Sequence, residues 1–397
     1  MLRSSSRILT THAGSLPRTP ALVEMQVALS RRQPVDADAS AREVLNGTRR
    51  VVHRQKDVGI DIGNNGEQAR ESFFTYVQHR LTGYGGESNR PIMRDITSFP
   101  SFLQLKLPDF SRTMVNLVRA PKAVGEVRHA TLEPLEEECT LFQHVLEEMA
   151  APFAETFMTA ASPGIVAAAM LNEHYDSYED YVLAVADALR PEYRYIVSRG
   201  FVLQVDCPDL AMERHTSFAD RPLGEFLRFV DTNVGALNHA LGGLPTDHVR
   251  MHVCWGNYEA PHHLDVPLDE ILPRLYGANV GAIMLPLANP RHAHEWRSLL
   301  RHPPPEDWLI IAGVIDPTTN YVEHPEVVAD RIARVAETVG DPTRVLAGTD
   351  CGFDTAAGLG EVAEEVVWEK LTSLKAGADL ATARLLGGRA VSNGDGP

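Results

Sequence analysis

His252 and Cys254 stand one residue apart in the run VRMHVCWGN, whose apolar and β-branched start has the composition of a buried strand. Successive side chains on a strand alternate faces, so positions two apart point the same way. The spacing therefore delivers an imidazole and a thiol to one spot. Cys351 offers a third soft ligand: it ends another apolar run, RVLAGTDC, and enters a Gly-Phe turn. One His and two Cys, with no fourth obligate ligand, form the donor set of a catalytic zinc site that keeps an open position. Such a site binds a substrate thiol and stabilises the thiolate well below its ordinary pKa of about 8.5. The thiolate then attacks an electrophilic carbon. The competing account is two buried apolar thiols and a histidine satisfied by hydrogen bonds.

The elements that must bring these residues together are legible as an alternation. Short apolar runs occur at 8–15, 58–65, 122–127, 155–162, 201–206, 249–254, 280–286, 308–315 and 344–350. Longer segments of helical period separate several of them, such as SYEDYVLAVADALRPEYRYIVSRG and HPEVVADRIARVAETVG, each closed by a glycine. Strand and helix in alternation predict a parallel sheet, and this many repeats predict a closed (β/α)8 TIM barrel. Nine runs are one too many, so one lies outside the barrel wall. Two segments interrupt the repeat: residues 66–121, with a Gly- and Pro-bearing stretch too long for a βα loop, and residues 212–248. With no composition break and no internal repeat, residues 1–397 read as one catalytic domain with an irregular insertion at about 66–121.

Barrel enzymes carry their chemistry at the C-terminal ends of the strands. Polar residues gather at those ends here: His12, Gly14, Ser15 and Arg18; Asn64, Asn65 and Glu67; Ser162 and Gly164; Asp206, Cys207 and Asp209. His252, Cys254 and Asn257 follow, then Asp316, Thr318 and Asn320, then Asp350 and Cys351. Asp206, Asp316 and Asn320 are the candidates for catalysis, with Arg18 and Asn257 among those for holding substrate. Two carboxylates at neighbouring strand ends, Glu67 and Asp206, suit an ammonium, and the N–H groups after Gly14 suit a carboxylate. Read more plainly, these are a turn glycine, a capping Ser15 and ordinary rim carboxylates.

Composition excludes more than it names. The formal charge of −16, from 53 acidic and 37 basic residues, repels nucleic acid and anionic lipid. No apolar run reaches the roughly 18 residues of a membrane span, and the start lacks the apolar core of a secretory signal, so the expectation is a cytoplasmic enzyme. No nucleic-acid or membrane partner is expected; assembly into a homo-oligomer is left open. Cys139, in LEEECTLF, reads as a buried thiol.

The ordered motifs TTHAGSLPR, AASPG, LQVDCPDLAM, HVCWGNYEAPHH, ANPRHAHEW, GVIDPTTNYVEHPE, AGTDCGF and VWEKL resemble those of the single-barrel relatives of cobalamin-independent methionine synthase. That group includes the epoxyalkane:coenzyme M transferases, and the resemblance runs from about residue 8 to 380. It implies a barrel of the kind shared with uroporphyrinogen decarboxylase, zinc held by His252, Cys254 and Cys351, and alkyl transfer from a donor to a small thiol. Contacts to an amino-acid substrate would fall on Gly14, Ser15, Glu67 and Asp206.

Three departures matter. Pro286 in IMLPLANPRH stands where relatives carry a zinc-binding Glu, leaving Glu259, His262, His263 and His292 as substitutes to consider. Thr318 stands where the methionine synthases place a catalytic His. The folate-side tryptophan motif is absent from SPGIVAAAMLNEHY. All three argue against methyl-folate as the donor. A zinc-dependent methyl or alkyl transferase leads; a zinc–thiolate C–S lyase, or a thioether-forming enzyme like the coenzyme M transferases, comes second. A metal-free barrel with a degenerated site is the third reading.

Overall fold

The computed structural model describes residues 1–110, 115 and 117–387, with 107–110 as backbone. Residues 111–114 and 116 of the expected insertion, and 388–397 of the expected single domain, lie outside the described residues. In chain order the strands are β1 (Ile62–Gly63), β2 (Tyr84–Gly85), β3 (Lys122–Ala123), β4 (Glu155–Ala161) and β5 (Val202–Asp206). They continue with β6 (Val249–His252), β7 (Ala282–Pro286), β8 (Leu309–Ile315) and β9 (Val345–Thr349). Seven of them form one parallel sheet in the order β1-β4-β5-β6-β7-β8-β9.

The first run closes this sheet into a TIM barrel. Ala347 N–H donates to Leu9 O and Thr11 N–H to Ala347 O, while Ile62 N–H donates to Thr10 O, each at 2.9 Å. Residues 9–11 thus stand between β9 and β1 as the eighth stave. This stave is shorter than the sequence run 8–15 because the Asp61 carboxylate takes the Thr10 N–H at 2.9 Å, and Gly14 turns the chain at φ +132°. The ninth run, at 122–127, lies outside the wall. Only Lys122–Ala123 is strand, antiparallel to β2 in a two-stranded ribbon.

Strands buried on both faces read as continuous apolar runs, and LIIAGVI of β8 is buried at every position. Inside the barrel Leu9, Phe157, Met284, Ile311 and Leu346 pack together. Outside, the helices cover the sheet with a second, larger core. Tyr178–Ser198 starts where Ser177 Oγ accepts from Asp180 N–H, and Pro325–Val339 stops at Gly340 with φ +78°. Beyond β1 the chain makes its excursion through a 3-10 turn (Thr75–His79) and the helices Arg94–Thr97 and Pro100–Phe110. That excursion comes down beside the C-terminal end of β6: Lys106 pairs with Glu259, Phe99 packs on the His263 ring, and Asp95 accepts from the Tyr258 hydroxyl.

Candidate metal centre and cavity

His252 ends β6, and Cys254 continues the same face two residues on. Cys351 follows β9, which is not a neighbour of β6, so the three side chains converge across the barrel mouth. Their ligand atoms lie within 4.8 Å of one another, and all three residues are buried. His252 is oriented from behind. Its Nδ1 is 3.2 Å from Asp206 Oδ1, and its Nε2 is 3.0 Å from the Asp350 carbonyl oxygen. With both nitrogens on acceptors His252 carries two protons here; binding a metal would cost it one of them, while a carboxylate on the other nitrogen fixes the tautomer and raises the basicity. Burial works to lower the His252 pKa, but the Asp206 hydrogen bond and the Cys254 charge overcome it and raise it to about 9. Hydrogen bonding with Cys351 holds the Cys254 thiol down at about 6 in spite of burial. The same contact, with burial, pushes Cys351 well above the usual thiol range. Such a pair sharing one proton between two sulfurs is ready to lose it to a cation. Two soft sulfurs and one nitrogen, buried and clustered, fit zinc.

Behind the triad lies an acidic recess, where Glu67 after β1 and Asp206 at the end of β5 approach each other although β4 separates their strands, which are not the neighbours the sequence suggested. Glu67 takes φ +58°, and its Oε1 accepts from Thr159 Oγ1 at 2.9 Å. Its Oε2 and the Asn64 Nδ2 are both buried without a partner among the described residues. Burial, then the neighbouring Asp206 charge, raises the Glu67 pKa to about 7. Gly14 borders this recess: a Cβ there would sit 2.8 Å from Glu67 Oε1 and 2.7 Å from Thr159 Cγ2. Ser15 is buried beside Gly352, and its carbonyl accepts from Phe353 N–H at 2.9 Å. Arg18 does not reach open space. Its terminal nitrogens donate to the Asp354, Glu67 and Arg70 carbonyls, and it pairs with the Asp354 carboxylate at 3.1 Å.

On the solvent side a cavity of about 450 Å³ opens from Cys254 and Cys351, bounded by residues 254–262, the turn after β7 and Asp316–Thr319. Asn257 lines it and donates to Gly352 O at 2.8 Å, leaving its Oδ1 without a partner among the described residues. Asp316 lines it too, but its Oδ1 already accepts from Thr318 N–H and Thr318 Oγ1, at 2.9 and 2.7 Å. Asn320 stays outside. It bonds Glu361 O and Ala363 N–H, at the start of helix Glu364–Leu385.

None of the substitutes for the missing Glu enters the donor cluster. Glu259 is held by Lys106 and His263 packs on Phe99, while His262 and His292 both point into Asp265. Sequence reasoning passed over that carboxylate, and also the part played by Asp350. The latter accepts from the N–H groups of Leu287, Ala288 and Asn289 and from Asn289 Nδ2, all at 2.8–2.9 Å. The signals were present: an Asp before the strand-end Cys, and His-His-Leu-Asp beside Asn-Pro-Arg-His.

No family model matches the chain. A methionine synthase of Sulfurisphaera tokodaii is 23% identical over 378 residues, 95% of this chain and 93% of the relative. The solved B12-independent methionine synthase of a Shewanella species superposes with a TM-score of 0.72 at 21% identity, covering 96% of this chain and 99% of the other. The chain is similar to these methionine synthases along nearly its whole length. The chain is also similar to the 2-hydroxypropyl-CoM lyase of Xanthobacter autotrophicus, 26% identical over 210 residues, 45% of this chain and 50% of that one.

Proposed function

We propose that the protein is a zinc-dependent transferase that moves a methyl or other alkyl group onto a small amino-acid thiol. The observation that carries this reading is the adjacency of two half-sites. A buried His–Cys–Cys donor set stands between an acidic recess with an orphan carboxylate oxygen and a cavity open to solvent. His252, Cys254 and Cys351 would hold the zinc. Bound there, it supplies the Lewis acidity that keeps a substrate thiol as thiolate near neutral pH.

The rest is done by the chain. Glu67 and Asp206 take the ammonium, Asn64 Nδ2 offers a donor to the carboxylate, and the thiol is thereby aimed at the triad. Asn257 Oδ1 and the wall of the outer cavity hold the electrophile. The aromatic rings there are engaged elsewhere: Trp255 stacks on His292, and Tyr258 lies against His262. No imidazole occupies position 318, and Thr318 donates its hydroxyl proton to Asp316. These features favour a small donor that needs no proton on leaving over a methyl-folate.

The test is methyl transfer to homocysteine by zinc-loaded protein with a panel of small methyl donors, methyl-folate included. Methionine formed from a small donor supports the reading. A protein that makes no thioether from any donor, yet releases thiol from 2-hydroxypropyl thioethers, replaces it with the lyase reading, which the similarity to the coenzyme M enzyme favours.

A further inference from the structure

One side of the outer cavity is the loop Trp255–Val266, and it hangs on a buried carboxylate that the chemistry above leaves unused. Asp265 Oδ2 lies 2.8 Å from His292 Nε2 and 3.0 Å from His262 Nδ1, and its Oδ1 lies 2.9 Å from His215 Nδ1. The three imidazoles come from three places: after β5, within the loop itself, and after β7. Their other nitrogens are engaged as well. His292 Nδ1 meets Glu295 Oε2 at 2.8 Å, and His262 Nε2 meets the Tyr258 carbonyl oxygen at 3.0 Å. An imidazole whose two nitrogens both face oxygens that can only accept must carry both protons. His262 and His292 are therefore imidazoliums.

We propose that Asp265 is a positioning residue: by keeping His262 and His292 protonated it ties the cavity wall to the loops after β5 and β7, and so shapes the space where the electrophile meets the thiol. The clause about the electrophile rests on the alkyl-transfer reading; the network does not. The loop is pinned at both ends. Trp255 stacks on His292 with ring centres 4.2 Å apart, and its Nε1 donates to Val266 O at 2.7 Å. The other groups facing the network are Glu295 on His292, Tyr258 on His215, and Asp95 on Tyr258 and the His262 N–H. Arg90, paired with Glu213, is a nearby cation, and Lys106 on Glu259 and Arg291 on the His263 carbonyl reach the same loop. The charge balance agrees. Burial lowers the His292 pKa, but Asp265 and Glu295 more than offset it and raise it to about 9, and His262 is raised by the same carboxylate. Asp265 itself, against the pull of burial, is held far below the usual carboxylate range by its three histidines.

Contact with an imidazolium quenches indole emission more than contact with neutral imidazole, so Trp255 reports the charge on His292. Its emission, isolated by subtracting that of Trp255→Phe protein, is followed against pH. In the unaltered protein the midpoint is expected near pH 9. In Asp265→Asn it should fall by about two units toward an ordinary histidine, near 6.5. His292→Gln should abolish the titration, which identifies the group even if Asp265→Asn folds poorly. The alkaline limit of alkyl transfer to homocysteine should move down with the midpoint in Asp265→Asn. Homocysteine affinity should stay within twofold, because Glu67 and Asp206 lie off the network. A midpoint near 6.5 in the unaltered protein, or one that Asp265→Asn leaves in place, overturns the proposal. Loss of every alkyl-transfer activity with the emission titration intact sinks the functional reading alone.

Discussion

Glu67 and Asp206 make the sharpest prediction about single residues. Burial and the Asp206 charge keep a proton on Glu67 up to about pH 7 in the free protein. A carboxyl with a raised pKa stabilises the fold fully below its ordinary value of about 4.3, and that contribution is lost as pH rises through about 7. Binding runs the other way, because an ammonium is attracted to the carboxylate and not to the acid. Homocysteine affinity should therefore climb between about pH 6 and 8. Calorimetry across that range should show the climb flattened in Glu67→Gln, and affinity reduced at least tenfold in Asp206→Asn with the thermal midpoint little changed. Equal binding by the Asp206→Asn protein would mean that the thiol carries no ammonium. At this scale much was legible. Strand periodicity alone aligned His252 with Cys254, and Asp206 stood out as a carboxylate at a strand end. Arg18 and Asn320 were less transparent, because a strand-end position says nothing about whether local carbonyls and helix starts already engage the side chain.

At the scale of elements, the strand ends are held by side chains as much as by the ladder. Asp350 follows β9 and gathers three backbone N–H groups from the turn after β7, two strands away. Gly313 of β8 lets it through, since a Cβ there would stand 2.3 Å from Asp350 Oδ1. Removing the carboxylate leaves buried donors without an acceptor, at about 1–3 kcal/mol apiece. Asp350→Ala should therefore lose about 3 kcal/mol or more in urea unfolding, and Asp350→Asn, which keeps one acceptor oxygen, clearly less. A loss under about 1 kcal/mol for the alanine variant would mean that water replaces the carboxylate without cost. The alternation of runs revealed the barrel because parallel strands buried on both faces leave a plain apolar signature. It did not identify the run outside the wall. Lys122–Ala123 has strand composition like the others, and only the three-dimensional partner, Tyr84–Gly85, tells them apart.

For the whole molecule the question is how this barrel works with Pro286 in its rim. In the β6–β7 register His252 stands opposite Met284, and the ladder continues through Val253 N–H to Met284 O at 3.1 Å. Two residues further on, Pro286 is on the same face of β7 as Met284 and lines the cavity together with Cys254. Relatives with a Glu at this position would add a third anion to the metal there. Here two thiolates would balance the charge of a bound Zn²⁺, so the ion should be the stronger Lewis acid and the more weakly held. The purified protein should contain about one zinc per chain, and Cys351→Ser should lose it. A chelator should strip it faster than from a relative that keeps the Glu. Pro286→Glu should slow that release, because a side chain leaving the neighbouring strand at that register points at the triad. It should also lower the rate of thiol alkylation, since an added anion weakens the pull of the metal on the thiolate. Metal analysis and chelator kinetics on the three proteins decide the matter. Full activity after exhaustive chelation would show that the His–Cys–Cys cluster works without metal, and would leave Pro286 as the mark of a site that has changed its chemistry.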